Sequence, residues 1–179
     1  MHGSEQVREQ LQTLIDTDSL RERIQELGAR IRADHGDEAI TCIGVLKGSF
    51  LFMADLVRAI GGPVRCEFLG VSSYQGGTRS SGVVRLTHDL RQPVEGQHCL
   101  LVEDIIDTGL TMDYLLRMLQ VRNPASLKVV SLLDKPSNRE VEVPVDYVGF
   151  TIPDEFVVGY GLDFNELFRN LPYIAVYTP

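Results

Sequence analysis

An α/β fold built on a mostly parallel sheet is what this sequence predicts, and three observations predict it. Apolar, strand-like runs alternate with helix-like segments from Ala39 onward. Such alternation favours parallel strands covered by helices on both faces. Two of the runs end in short glycine-bearing junctions that open a helical stretch, at Lys47-Gly48-Ser49 and at Asp107-Thr108-Gly109. Finally, 179 residues with 44% hydrophobic and 23% charged content suit one domain with a full core.

The elements follow in order. Leu20, Ile24, Leu27 and Ile31 recur at helical spacing; Ser19 with Glu22 offers a capping-box start, and Gly36 a stop. Ala39–Leu46 reads as a buried strand, and Phe50–Ile60 as a helix closed by Gly61-Gly62-Pro63. A strand at Val64–Val71 precedes a polar loop, Ser72 to Ser81, and another strand at Val83–Thr87. Gln97–Val102 is an apolar strand, followed by a helix from about Thr111 to Val121. Strands at Ser126–Leu133 and Val145–Phe150 and a terminal strand at Tyr173–Tyr177 complete the pattern. The irregular stretch Asp154–Arg169 suits a small cap over the cleft that such sheets form beyond the carboxyl ends of their strands.

Composition narrows the function. A formal net charge of −8 without a basic run disfavours nucleic acid as partner. No apolar run approaches membrane-span length and the N-terminus lacks a signal-peptide core, so a cytoplasmic protein is expected. The three cysteines, Cys42, Cys66 and Cys99, sit in apolar runs without CxxC spacing and are expected as buried thiols. The four histidines are scattered without ligand spacing and read as loop or surface residues.

The most informative stretch is Val102 to Thr111, Val-Glu-Asp-Ile-Ile-Asp-Thr-Gly-Leu-Thr. Adjacent carboxylates at a strand end, then a Thr-Gly-x-Thr turn opening a helix, suit a metal-escorted phosphate ester. The turn's amides and hydroxyls can cradle phosphate at the positive end of the helix dipole. An acidic protein that handles a polyanion also needs a divalent cation to offset the repulsion.

This stretch resembles the phosphoribosyl diphosphate signature of the type I phosphoribosyltransferases, and a second match, Ile152 to Asp163, resembles their 6-oxopurine branch. The resemblance extends from Ala39 to the C-terminus. It implies a mostly parallel five-stranded sheet flanked by helices, with a small hood from the N-terminal segment and roughly residues 151–172. The activity it implies is Mg²⁺-dependent transfer of phosphoribosyl from 5-phospho-α-D-ribose 1-diphosphate to hypoxanthine, and guanine too. Xanthine preference is an alternative, because Lys135 meets an O6 that all these bases carry; a phosphoribosyl-diphosphate-sensing regulator is a remoter one. Homodimers or homotetramers are usual in the family.

Site residues follow from the same resemblance. Glu103 and Asp104 meet ribose hydroxyls and Mg²⁺, and Asp107, Thr108, Gly109, Leu110 and Thr111 wrap the 5′-phosphate. Asp107 also exchanges the purine proton. Leu110 stands where many relatives carry Lys. Lys47, Gly48 and Arg169 hold the diphosphate, with a cis Leu46–Lys47 peptide implied. Lys135 donates to O6, Phe156 stacks on the base, and Val157, Leu162 and Asp163 line its pocket. Asp163 also faces a second Mg²⁺. Ser73 and Tyr74 match the Ser-Tyr pair of a mobile lid.

Overall fold

The computed structural model describes residues 10–73 and 84–178. Six strands form the main sheet in the order β4-β3-β2-β5-β6-β7. These are β2 (Ile40–Leu46), β3 (Val64–Ser73), β4 (Val84–His88), β5 (His98–Ile106), β6 (Ser126–Asp134) and β7 (Tyr147–Thr151). Five of them run parallel, and only β4 is antiparallel, against the end of β3. The implied five-stranded sheet is thus present with one antiparallel edge strand added.

Helix α1 (Thr17–His35) and helix α2 (Phe50–Ile60) cover one face, and α3 (Leu110–Gln120) covers the other. Because both faces are covered, β2 and β6 are buried along most of their length. The two helices of the first face approach closely at Gly28, where a Cβ would lie 2.5 Å from Ala59. Gly28→Ala should therefore destabilise the fold by about 1–2 kcal/mol despite alanine's better helix propensity. Thermal denaturation checks this, with a fall of roughly 2–4 °C per kcal/mol expected. Arg32 on α1 donates to the carbonyls of Gly36, Glu38 and Gly61, so one guanidinium satisfies the C-terminal ends of both helices.

A separate three-stranded antiparallel sheet, β1-β9-β8, is built from β1 (Leu11–Ile15), β8 (Val157–Val158) and β9 (Ile174–Tyr177). The terminal strand therefore pairs with the beginning of the chain and with the segment after residue 151, not with the main sheet. Ile15, Val157, Tyr160, Leu162 and Ile174 join the core beneath α1 and α2, which seats this small sheet on the larger one.

Several local expectations need correction. The α1 N-cap is Asp16, whose side chain accepts from the Ser19 amide, so Ser19 lies within the first turn rather than capping it. Strand β5 runs on to Ile106, because Glu103 to Ile106 stay in register with Ser131 to Asp134. Cys66 is exposed, unlike Cys42 and Cys99. It lies on the first half of β3, where pairing to β4 has not yet begun and no described strand lies beyond. Burial pushes the Cys42 thiol up to about 12 and that of Cys99 up to about 11. His98 is not a loop residue: it begins β5, with its ring Nδ1 2.8 Å from Ser126 Oγ.

Candidate active site

Topology places the site before any side chain is considered. From β2 the chain crosses through α2 to β3 on one side, while from β5 it crosses through α3 to β6 on the other. The carboxyl ends of β2 and β5 therefore flank a switch point, where an open crevice forms. A cleft of about 460 Å³ lies there. Lining it are Lys47 and Gly48 after β2, Glu103 to Gly109 and Thr111 from β5 and its loop, and Lys135 after β6. The small-sheet region contributes Phe156, Val157, Leu162, Asp163 and Arg169.

Lys47 and Arg169, 122 positions apart in the chain, thus meet in one crevice with the others, as the family resemblance requires. Leu110 does not line it; its amide lies 3.4 Å from Thr108 Oγ1. The Leu46–Lys47 peptide is cis. Tyr74, of the lid pair, lies outside the described residues, as does the Ser73 side chain; the Ser73 backbone ends β3.

The carboxylates at the floor are electrostatically uncomfortable. Glu103 and Asp104 are each only 9% exposed, and Glu103 Oε2 is buried without a hydrogen-bond partner among the described residues. Burial, then the neighbouring Asp104, pushes the Glu103 carboxyl well above the usual range, and burial also raises Asp104. An orphaned buried acid beside a second acid is the setting a divalent cation relieves. Among the described residues no three His, Cys, Asp or Glu groups converge into a complete protein cage. The Glu103–Asp104 pair fits Mg²⁺, which keeps waters and takes only one or two carboxylates when substrate phosphates supply the rest.

Gly48 is needed for this floor to exist. A Cβ there would lie 1.6 Å from Asp104 Oδ2, and a Cβ on Gly161 (φ +103) would lie 2.0 Å from the Gly48 carbonyl. Three chain segments meet there with no room for a side chain. Gly48→Ala should displace the loop or the Asp104 carboxylate and lower kcat/KM by roughly 10²-fold, the cost of misplacing reacting groups by about an ångström. Steady-state kinetics beside a melting curve would check this, with the folded state retained.

The phosphate-type loop is held from beneath. Gly109 caps α3 at φ +87, and a Cβ on it would lie 2.3 Å from the Val141 carbonyl. Glu140 and Val141 donate their amides to the Thr108 carbonyl at 2.9 and 3.1 Å. Arg139 donates to the Asp107 carbonyl at 2.7 Å and pairs with Asp134, so a nearly buried guanidinium ties the loop to the end of β6. Sequence reasoning missed Arg139, because nothing local marks a partner 32 residues upstream.

On the opposite wall, Lys135 is 6% exposed, with its Nζ 3.0 Å from Asp154 Oδ1 and 3.7 Å from Asp107 Oδ2. The Lys135 hydrogen bond, aided by Asn138, holds the Asp154 carboxyl below its usual range. Asp107 Oδ1 is buried without a hydrogen-bond partner among the described residues. Phe156 is 52% exposed yet braced at its edges by Phe164 and Tyr177, at ring separations of 5.8 and 6.3 Å. Its fixed ring with an open side is a stacking platform for a flat heterocycle. Arg169 donates to the Gly161 carbonyl at 2.7 Å and pairs with Asp163 at 2.8 Å.

Known proteins give the same reading. The family model described as phosphoribosyl transferase domain matches residues 13–165. A Bacillus subtilis hypoxanthine-guanine phosphoribosyltransferase is 48% identical, the alignment covering 93% of this chain and 92% of that protein. A Haemophilus influenzae hypoxanthine phosphoribosyltransferase is 52% identical, over 90% and 92%. The crystal structure of a Staphylococcus aureus hypoxanthine phosphoribosyltransferase superimposes with a TM-score of 0.92 at 43% identity, over 96% of this chain and 94% of that one. With the signature loop, the switch-point cleft and these matches in agreement, the chain belongs to the phosphoribosyltransferase family.

Proposed function

We infer that this chain is a purine-salvage transferase that moves phosphoribosyl from 5-phospho-α-D-ribose 1-diphosphate to N9 of hypoxanthine and guanine, forming IMP, GMP and diphosphate. The observation that carries the reading is the convergence of Asp107, Lys135 and Phe156 on one cleft, with Asp107 and Lys135 only 3.7 Å apart. Phe156 stacks on the purine. Lys135, which can only donate, meets the carbonyl O6 and disfavours the amino group of adenine. Val157 and Leu162 close the pocket around the ring.

The amides and hydroxyls of Thr108, Gly109 and Thr111, with the amide of Leu110, hold the 5′-phosphate at the start of α3. Lys47, the Gly48 amide and Arg169 hold the diphosphate. As the C1–O bond lengthens, the ribose gains oxocarbenium character, and the cleft's donors stabilise the departing charge. N9 then bonds to C1, and the base's proton passes to the partnerless Oδ1 of Asp107. Glu103, Asp104 and, at a second position, Asp163 would hold Mg²⁺, which supplies charge neutralisation of the diphosphate. The small sheet with roughly residues 151–172 acts as a hood over the cleft. Self-association into a homodimer or homotetramer and a cytoplasmic location complete the proposal.

The test is nucleotide formation from hypoxanthine, guanine and xanthine, each with phosphoribosyl diphosphate, with and without Mg²⁺. IMP and GMP are expected, with loss of both products on chelation. Preferred formation of the xanthine nucleotide would shift the base assignment, and no product from any oxopurine would overturn the activity.

A further inference from the structure

An anion already stands at the rim of the diphosphate end of the cleft. Lys47 Nζ lies 2.8 Å from Glu166 Oε2, and the other Glu166 oxygen lies 3.6 Å from Arg169 Nη2. Lys47 and Arg169 are 122 positions apart in the chain (169 − 47), stand on different walls, and are the two cations assigned above to the diphosphate. One carboxylate bridges them.

The chain is bent to deliver that carboxylate. Asn165, Glu166 and Phe168 all take left-handed backbone conformations, at φ +51, +64 and +75. None is glycine, and such conformations are uncommon for ordinary side chains. The Glu166 amide is fixed on Asp163 Oδ2 at 2.8 Å. Glu166 does not itself line the cleft; it stands at the rim and reaches two residues that do. The Lys47 hydrogen bond holds the Glu166 carboxyl below its usual range, which favours its charged form.

We propose that Glu166 is an internal competitor for the diphosphate: its carboxylate pairs with Lys47 and Arg169 and must yield when the diphosphate binds. The proposal rests on the assignment of Lys47 and Arg169 to that group. Lys47 then always has an anionic partner, and Arg169 has Glu166 in addition to its closer partner, Asp163. Arriving substrate exchanges one anionic partner for another, and departing diphosphate is replaced by Glu166. Affinity is lowered and product release is eased by the same contact. A residue that merely braced the loop would act with the opposite sign, because removing it would loosen the diphosphate end and weaken binding.

That difference in sign makes the test. Binding of inorganic diphosphate with Mg²⁺ and of phosphoribosyl diphosphate is measured calorimetrically on the full chain and on Glu166→Gln, at low and high salt. Glu166→Asn is measured beside them, since asparagine tolerates a positive φ well. Both variants should bind diphosphate about two- to fivefold more tightly at low salt, the range open to exposed ion pairs, with the gain shrinking as salt screens the contact. The KM for phosphoribosyl diphosphate should fall in step, while the KM for hypoxanthine stays unchanged. Unchanged or weaker binding by the variants, with the parent chain binding normally, overturns the competitor role alone. Failure of the parent chain to bind diphosphate at all would overturn the assignment of the site, and the competitor role with it.

Discussion

Asp107→Asn is expected to lower kcat by about 10²–10⁴-fold while KM for both substrates stays within roughly threefold. The expectation follows from where the two oxygens lie. Oδ1 is buried without a partner, and Oδ2 lies 3.7 Å from the Lys135 ammonium. The first is placed to accept from the base, and the second faces the Lys135 ammonium. Asparagine keeps the shape, and the backbone carbonyl still accepts from Arg139. The proton acceptor is lost, together with the carboxylate charge that faces Lys135. Single-turnover kinetics with hypoxanthine separate the chemical step from binding, and near-normal turnover would remove Asp107 from the proton transfer.

The second large effect is expected at Lys135. Lys135→Met retains length and packing but removes a charged donor from the cleft wall and strips Asp154 of its ammonium partner. A hydrogen bond to a charged group contributes about 1.5–3 kcal/mol, so kcat/KM for hypoxanthine should fall roughly 10- to 10²-fold. The preference for hypoxanthine over adenine should erode by a similar factor, because the donor that disfavours an amino group has gone. The ratio of kcat/KM values for the two bases is the measurement. An unchanged ratio would take Lys135 out of base recognition, whatever happened to the absolute rates.

The framework was legible wherever local pattern and tertiary burial agree. The bounds of α2 follow from its apolar periodicity and the Gly61-Gly62-Pro63 stop, and the helix spans Phe50–Ile60 as expected. The strand before the signature was drawn too short. Its last four residues include two carboxylates, and only pairing with β6 and the demands of the cleft explain why acids occupy a buried strand end. At the first helix Ser19 reads as the cap, but the true one, Asp16, lies three residues before it. The terminal strand was visible, but not the sheet it joins, since that depends on residues at both ends of the chain.

The site divides in the same way. Residues carried by contiguous motifs, from Glu103 to Thr111 and from Phe156 to Asp163, were readable because several chemically meaningful positions fall in order. Arg139 and Glu166 were not. The first acts through a carbonyl 32 residues away, and the second reaches Lys47 across 119 positions. Distances of that kind are properties of the folded chain, and no spacing rule encodes them.

The close approach of Gly161, Gly48 and Asp104 has an evolutionary corollary. A methyl group at either glycine would strike a neighbour belonging to a different part of the chain. Drift at one of the three positions is therefore conditional on the other two, and a descendant lineage could change them only as a correlated set. Sequence diversity should accordingly gather on the outer helix surfaces while this three-residue junction stays frozen.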